Sequence, residues 1–231
     1  MGIAKEILSL LKRKTQPLSW HHLRSLEPVQ RNFGHYRGTS IDRFYMEEFL
    51  KTNQSLIKGN VLEIADNTYS KKFGNNVTSF EVLHYDSKNN KATIVGDLTK
   101  HETLPENRID CFICTQTLNF IYDFKAAIKG SFHLLKPGGV MLCTVAGLCQ
   151  ISRYDMDRWG DYWRFTSKSI QQSFEEVFGN NVKIAAYGNV LSATALLQGI
   201  TVEELTKEEL LFCDEDYQVL ITIVATKPSN A

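Results

Sequence analysis

Residues 121–145 read IYDFKAAIKGSFHLLKPGGVMLCTV, and the order of parts in this stretch decides the fold. FKAAIKGSFHLL has helical patterning and should end at Leu135. Lys136-Pro137-Gly138-Gly139 then makes a tight turn, because proline cannot continue a helix and glycine tolerates the positive φ that reverses the chain. VMLCTV follows as a buried strand. Helix, tight turn and buried strand in that order are the closing half of a βαβ unit.

The same grammar extends in both directions. NVLEIA, SFEVLHYD, ATIVGD, IDCFICT, VMLCTVA, VKIAAYG and YQVLITIVATK are seven strand candidates. Their nearly continuous apolar character suggests strands covered on both faces. Helical patterns separate most of them: around 68–74, FKAAIKGSFHLL, SKSIQQSFEEVFG and a long insertion over 190–211. Such alternation predicts an α/β protein with a mostly parallel sheet and helices on both faces. The final strand feeds no further crossover and is therefore free to run antiparallel. Residues 1–57 read differently, as a polar helical cap with Ser40 capping IDRFYMEEFLKT, so the domain proper is expected over 58–231.

Composition narrows the function. With 26 Lys and Arg against 26 Asp and Glu the formal charge is zero, which gives no electrostatic case for a nucleic-acid partner. Cys111 and Cys114 have CxxC spacing, but they lie in a strand reading, where residues three apart face opposite sides and cannot share a metal. His21-His22 stands in a polar loop without partner ligands, so no metal site is expected. Residues 1–14, MGIAKEILSLLKRK, form a basic amphipathic stretch too short for a signal core. It reads as a helix docked on its own domain or on the mate of a homodimer, and a membrane surface is the alternative. No stretch reaches transmembrane length, and a cytoplasmic location is expected.

In doubly wound sheets ligands sit beyond the carboxyl ends of the strands. The first strand ends VLEIADNTY, which resembles the opening motif of class I S-adenosylmethionine (SAM)-dependent methyltransferases: an apolar run, an acid and a glycine-rich turn. Glu63 takes the acidic position, while Ala65, Asn67 and Tyr69 stand where the three glycines usually are. Ala65 is little bulkier than glycine and Asn67 tolerates left-handed backbone, so Tyr69 decides whether the cofactor pocket stays open. LLKPGG followed by an apolar strand is similar to the same family, in the methyltransferase type 11-like branch. The resemblance covers about residues 58–228 and implies a Rossmann-like, doubly wound, seven-stranded sheet of order 3-2-1-4-5-7-6 with the last strand antiparallel. It also implies SAM as cofactor. Asp86, ending the second strand, would hold the ribose, and Asp97 and Leu98 the adenine. The segment after Asp110 resembles the family's fourth-strand motif, with Asn119-Phe120 in place of Glu-His. Gln116 and Thr117 would line the methionine end.

ISRYDMDRWGDYWRFTSKSI carries two tryptophans, two tyrosines and three aspartates between Tyr154 and Arg164. Part of it resembles the DYWRFT segment of bacterial methyltransferases associated with glycan and sugar modification. Tyr154, Trp159, Tyr162, Trp163 and Arg164 are sugar-binding candidates, since rings stack on C–H faces and charged groups fork hydroxyls. The alternative is a packed loop in which Tyr162, Trp163 and Phe165 fill core and Thr166 caps the next helix. Arg37 or Arg43 could pair with an anionic substrate or the cofactor carboxylate. Asp161, then His35, is the candidate general base for a hydroxyl acceptor. The implied activity is methyl transfer to oxygen or nitrogen of a small molecule or glycan. A SAM-fold scaffold without catalysis stays open, as does a nucleotide-dependent oxidoreductase or epimerase, although no GxGxxG follows the first strand.

Overall fold

The computed structural model describes residues 24–230. The N-terminal amphipathic stretch, its proposed dimer contact and His21-His22 lie outside them. All seven expected strands form one sheet: β1 Gly59–Ile64, β2 Val77–His84, β3 Ile94–Val95, β4 Ile109–Thr115, β5 Leu135–Ala146, β6 Val182–Tyr187 and β7 Leu220–Thr226. Their order is β3-β2-β1-β4-β5-β7-β6. β7 runs antiparallel to both its neighbours, and the other pairs are parallel. The family's topology is therefore present strand for strand.

The helices are α1 Ile41–Thr52, α2 Thr68–Phe73, α3 Phe124–Leu134, α4 Arg153–Met156, α5 Ser167–Phe178, α6 Val190–Gln198 and α7 Lys207–Leu211. β4 shows why its run is apolar throughout. Phe112 and Cys114 point into a core shared with α3 and α5. Cys111 and Ile113 point the other way, into a core built with Ile41, Tyr45, Met46, Phe49 and Leu50 of α1. Each such side chain, fully buried, contributes roughly 1.5–3 kcal/mol. The CxxC pair thus faces two different cores, as strand geometry requires. Residues 41–57 cover one face of the sheet and belong to its core.

Three local expectations change. KPGG is a bulge within a strand rather than a turn before one: Leu135 already pairs with Ile109, and pairing resumes at Val140 with Cys111. Gly138 takes φ 79, and a Cβ on Gly139 would meet the Ile109 carbonyl at 2.9 Å, so glycine is needed at both positions for different reasons. Ser40 occupies the cap position of α1, but its hydroxyl donates to the Asp42 carboxylate rather than capping backbone. The insertion over 190–211 is broken at Gly199, whose φ of 68 closes α6 in the left-handed conformation. It restarts at two capping boxes, Thr201 with Glu204 and Thr206 with Glu209.

Candidate active site

The carboxyl ends of β1, β4 and β5, with the segments that follow them, open onto two clefts. The smaller, about 420 Å³, lies over β1, β2, β3 and β4, with apolar walls from Ile64, Leu83, Leu98, Phe120 and Ile121. Ala65, His84, Tyr85, Gly96, Asp97, Thr115, Gln116, Thr117 and Trp159 complete it. The larger, about 640 Å³, lies between the N-terminal segment, α1 and the loop after β5. Thr115, Gln116 and Phe120 wall both clefts, so the two meet at the end of β4.

The loop after β1 keeps one feature of a glycine turn. Ala65 has φ 68, the left-handed backbone at the first glycine position, and its side chain is exposed in the smaller cleft. Asn67 does not share this role: its φ is −119, it stands at the N-terminal cap of α2, and it lines neither cleft. Tyr69 settles the question its position posed. Its ring packs on Phe73 at 6.3 Å in the wall of the larger cleft, leaving the smaller cleft open.

Glu63 is 3% exposed and lines neither cleft. Its carboxylate accepts from the backbone N–H groups of Tyr69 and Ser70 at 3.0 and 2.7 Å, and from the Ser70 hydroxyl. Glu63 thereby anchors the first turn of α2 and with it the loop after β1. Burial pushes its carboxyl above the usual range, with the Ser70 and Tyr69 bonds pulling the other way.

Asp86 is also engaged by a neighbour. It lines neither cleft and pairs with His84 Nδ1 at 3.0 Å. Against a desolvation that raises it, the Lys88 N–H and ammonium and His84 hold the Asp86 carboxyl below the usual carboxylate range. His84 and Tyr85 line the cleft at the end of β2 instead, their rings 4.8 Å apart. Asp97, Leu98, Gln116 and Thr117 all stand in the smaller cleft where they were expected. Asp97 accepts from the backbone N–H and hydroxyl of Thr99, which fixes its orientation. Gln116 holds φ 48, a strained conformation for a side chain of its kind and one that concentrates at functional sites.

The aromatic loop divides between structure and site. Asp161, 9% exposed, accepts from Arg164 at 2.6 and 2.8 Å and from the Ser152 N–H at 3.0 Å. Both face the larger cleft, and the pair's mutual bonds tie the loop together. Trp163 packs on Phe124 and donates to the Ile121 and Tyr122 carbonyls. Tyr162 donates to the Trp159 carbonyl, and neither Tyr162 nor Trp163 lines a cleft. Thr166 caps α5 through Ser169. Tyr154 lines the larger cleft, Trp159 the smaller.

On the N-terminal side His35 lines the larger cleft. Arg37 does not; it forks Glu204 at 2.7 and 3.1 Å, tying this segment to the stretch after α6. Arg43 does line the cleft, and its guanidinium has no side-chain partner among the described residues. Beyond the expected set, the larger cleft includes Asn119, Cys149 and Ser152. Burial pushes the Cys149 thiol up to about 11, leaving it a wall rather than a nucleophile.

Comparison with known proteins agrees with this geometry. Residues 56–143, from just before β1 into β5, match the methyltransferase domain family. Over those residues the chain is similar to that family, and the order of its seven strands is the one that the family resemblance implied. A SAM-dependent methyltransferase from Archaeoglobus fulgidus is 11% identical and superposes with a TM-score of 0.52, over 84% of this chain and 96% of that one. A SAM-dependent methyltransferase of Thermotoga maritima, possible histamine N-methyltransferase, gives 15%, 0.53, 81% and 91%. The [4+2]-cyclase SpnF gives 14%, 0.53, 88% and 88%. No curated protein matches the sequence. A domain of this kind uses SAM as methyl donor. The residues of the two clefts fit that cofactor: the smaller offers apolar walls and Asp97 to a nucleoside, and the adjoining one offers the Arg43 guanidinium, without a side-chain partner among the described residues, to a carboxylate.

Proposed function

We propose that this methyltransferase acts on an oxygen or nitrogen of a small polar acceptor, a sugar or glycan fitting best, bound in the larger cleft. The observation that carries this is the junction of the two clefts at Thr115, Gln116 and Phe120. A nucleoside-sized, largely apolar compartment opens there onto a larger one furnished with His35, Asp42, Arg43, Asn119 and Arg164. Exposed rings of Tyr154 and Trp159 stand at the two clefts, giving flat faces for the C–H side of a sugar.

Ala65, Asp97, Leu98, Gln116 and Thr117 would hold the adenosine half of SAM, and Arg43 the amino-acid carboxylate. Bound there, SAM supplies a methyl on a sulfonium whose sulfur leaves neutral with the bonding pair. The chain contributes position and desolvation, the terms that govern a direct displacement. His35 would take the proton of a hydroxyl acceptor; an amine would release its proton to water. A scaffold without catalysis would need the cofactor space filled, and the placement of Tyr69 argues against that.

The test is transfer of labelled methyl from SAM to a panel of glycosides, amino alcohols, biogenic amines, thiols and carbon nucleophiles, with products identified by mass spectrometry. Label on a hydroxyl or amine supports the proposal. Label on sulfur or carbon acceptors alone would sink it.

A further inference from the structure

Asn119 lies in the short turn after β4 with 3% exposure, and its side-chain carbonyl oxygen has no hydrogen-bond partner among the described residues. Buried amide oxygens are nearly always paired, and an exception calls for an explanation. Two other buried oxygens share this condition, on Gln30 and Asn60, but neither residue lines a cleft. Asn119 does.

The residue is also held still. Its backbone carbonyl accepts from the N–H groups of Tyr162 and Trp163 at 2.9 and 3.2 Å, which locks it to the loop after β5. It walls the larger cleft and not the smaller, so it stands beyond the residues the two share, on the side away from Ala65. A rigid, desolvated acceptor at that place discriminates sharply, because a ligand without a matching donor leaves it unpaired.

We propose that Asn119 orients the methyl acceptor: its Oδ1 takes a hydrogen bond from an O–H or N–H of the molecule in the larger cleft. This rests on that cleft being the acceptor half of the site. It restricts the substrate class to hydroxyl- or amine-bearing molecules and disfavours thiols and bare aromatic carbons.

The test uses Asn119→Leu, which keeps nearly the same volume and removes both donor and acceptor. Removing an unsatisfied buried amide should leave the melting temperature of the ligand-free protein unchanged or higher. Affinity for S-adenosylhomocysteine by calorimetry should match wild type. Turnover of whichever panel member wild type methylates should fall at least about tenfold, the worth of one oriented hydrogen bond. A lower melting temperature would show the amide to be structural and overturn the assignment. Loss of S-adenosylhomocysteine affinity in the variant would give Asn119 to the cofactor and overturn it equally. Failure of wild type itself to bind S-adenosylhomocysteine would instead remove the two-cleft reading on which the assignment stands.

Discussion

Replacing Ala65 by glycine should stabilise this protein, although glycine substitutions usually do the reverse. Ala65 sits at φ 68 with its side chain exposed, so its Cβ is strained by the left-handed backbone and buries nothing in return. An L-residue pays about 1–2 kcal/mol for that conformation. Glycine avoids it but adds about 0.4–1 kcal/mol of unfolded-chain entropy. The difference leaves Ala65→Gly more stable by about 0.5–1 kcal/mol. At this chain length that is a rise in Tm of roughly 1–4 °C, readable by circular dichroism and checked by urea titration. Ala65→Val should lose at least about 1 kcal/mol, since a branched Cβ tolerates the region worst. Asn67→Gly is the internal control: at φ −119 it has no strain to relieve and should gain nothing. A lower melting temperature for Ala65→Gly, or a gain confined to Asn67→Gly, would refute the reading of this loop.

Asp161→Asn should cost about 2 kcal/mol of stability, below the 3–5 of a fully buried pair because Arg164 keeps 28% of its side chain in solvent; retained stability with lost turnover would restore Asp161 as a base. Alkylation of the native protein should modify Cys213 fast and Cys111 and Cys149 slowly, because burial pushes the last two thiols up to about 12 and about 11; peptide mass mapping over time reads this. The Glu203 carboxyl is held down at about 2 by hydrogen bonds from Thr39, whose N–H it accepts at 3.0 Å. A depressed acid stabilises above its ordinary value of 4.5 and loses that as pH falls through the folded value, so protection of the Thr39 amide from hydrogen exchange should decline between about pH 4.5 and 2.

The sheet was legible in the sequence because its signals are redundant. IDCFICT is apolar at every position but Asp110 and Thr115, and only a strand covered on both faces needs that. The break in the 190–211 insertion was equally legible and was overlooked: Thr201 with Glu204 and Thr206 with Glu209 are capping-box spacings in plain view. The site was harder for a physical reason. Sequence places a residue at a strand end but does not say which neighbour claims its side chain. Glu63 is claimed by the backbone of α2, Asp86 by His84, Arg37 by Glu204 and Asp161 by Arg164. Each was a sound candidate by type and position, and each is engaged elsewhere. The side chains of Gln116, Arg43 and Asn119 line the clefts with no such claim on them among the described residues, and the proposed site is built on these with Ala65 and Asp97. Asn119 carried only the signal of its place in the fourth-strand motif, where it stands with Phe120 for Glu-His; its orphaned oxygen is a property of packing.

Calorimetric titration with S-adenosylhomocysteine tests the central claim most directly. The two joined clefts predict saturable one-to-one binding, a stabilisation of about 2.7 kcal/mol at a hundredfold excess over Kd, and at least about tenfold weaker binding, near 1.4 kcal/mol, for Asp97→Ala. Absence of heat and of any melting shift in the folded wild-type protein would contradict it, leaving the methyltransferase fold without its cofactor.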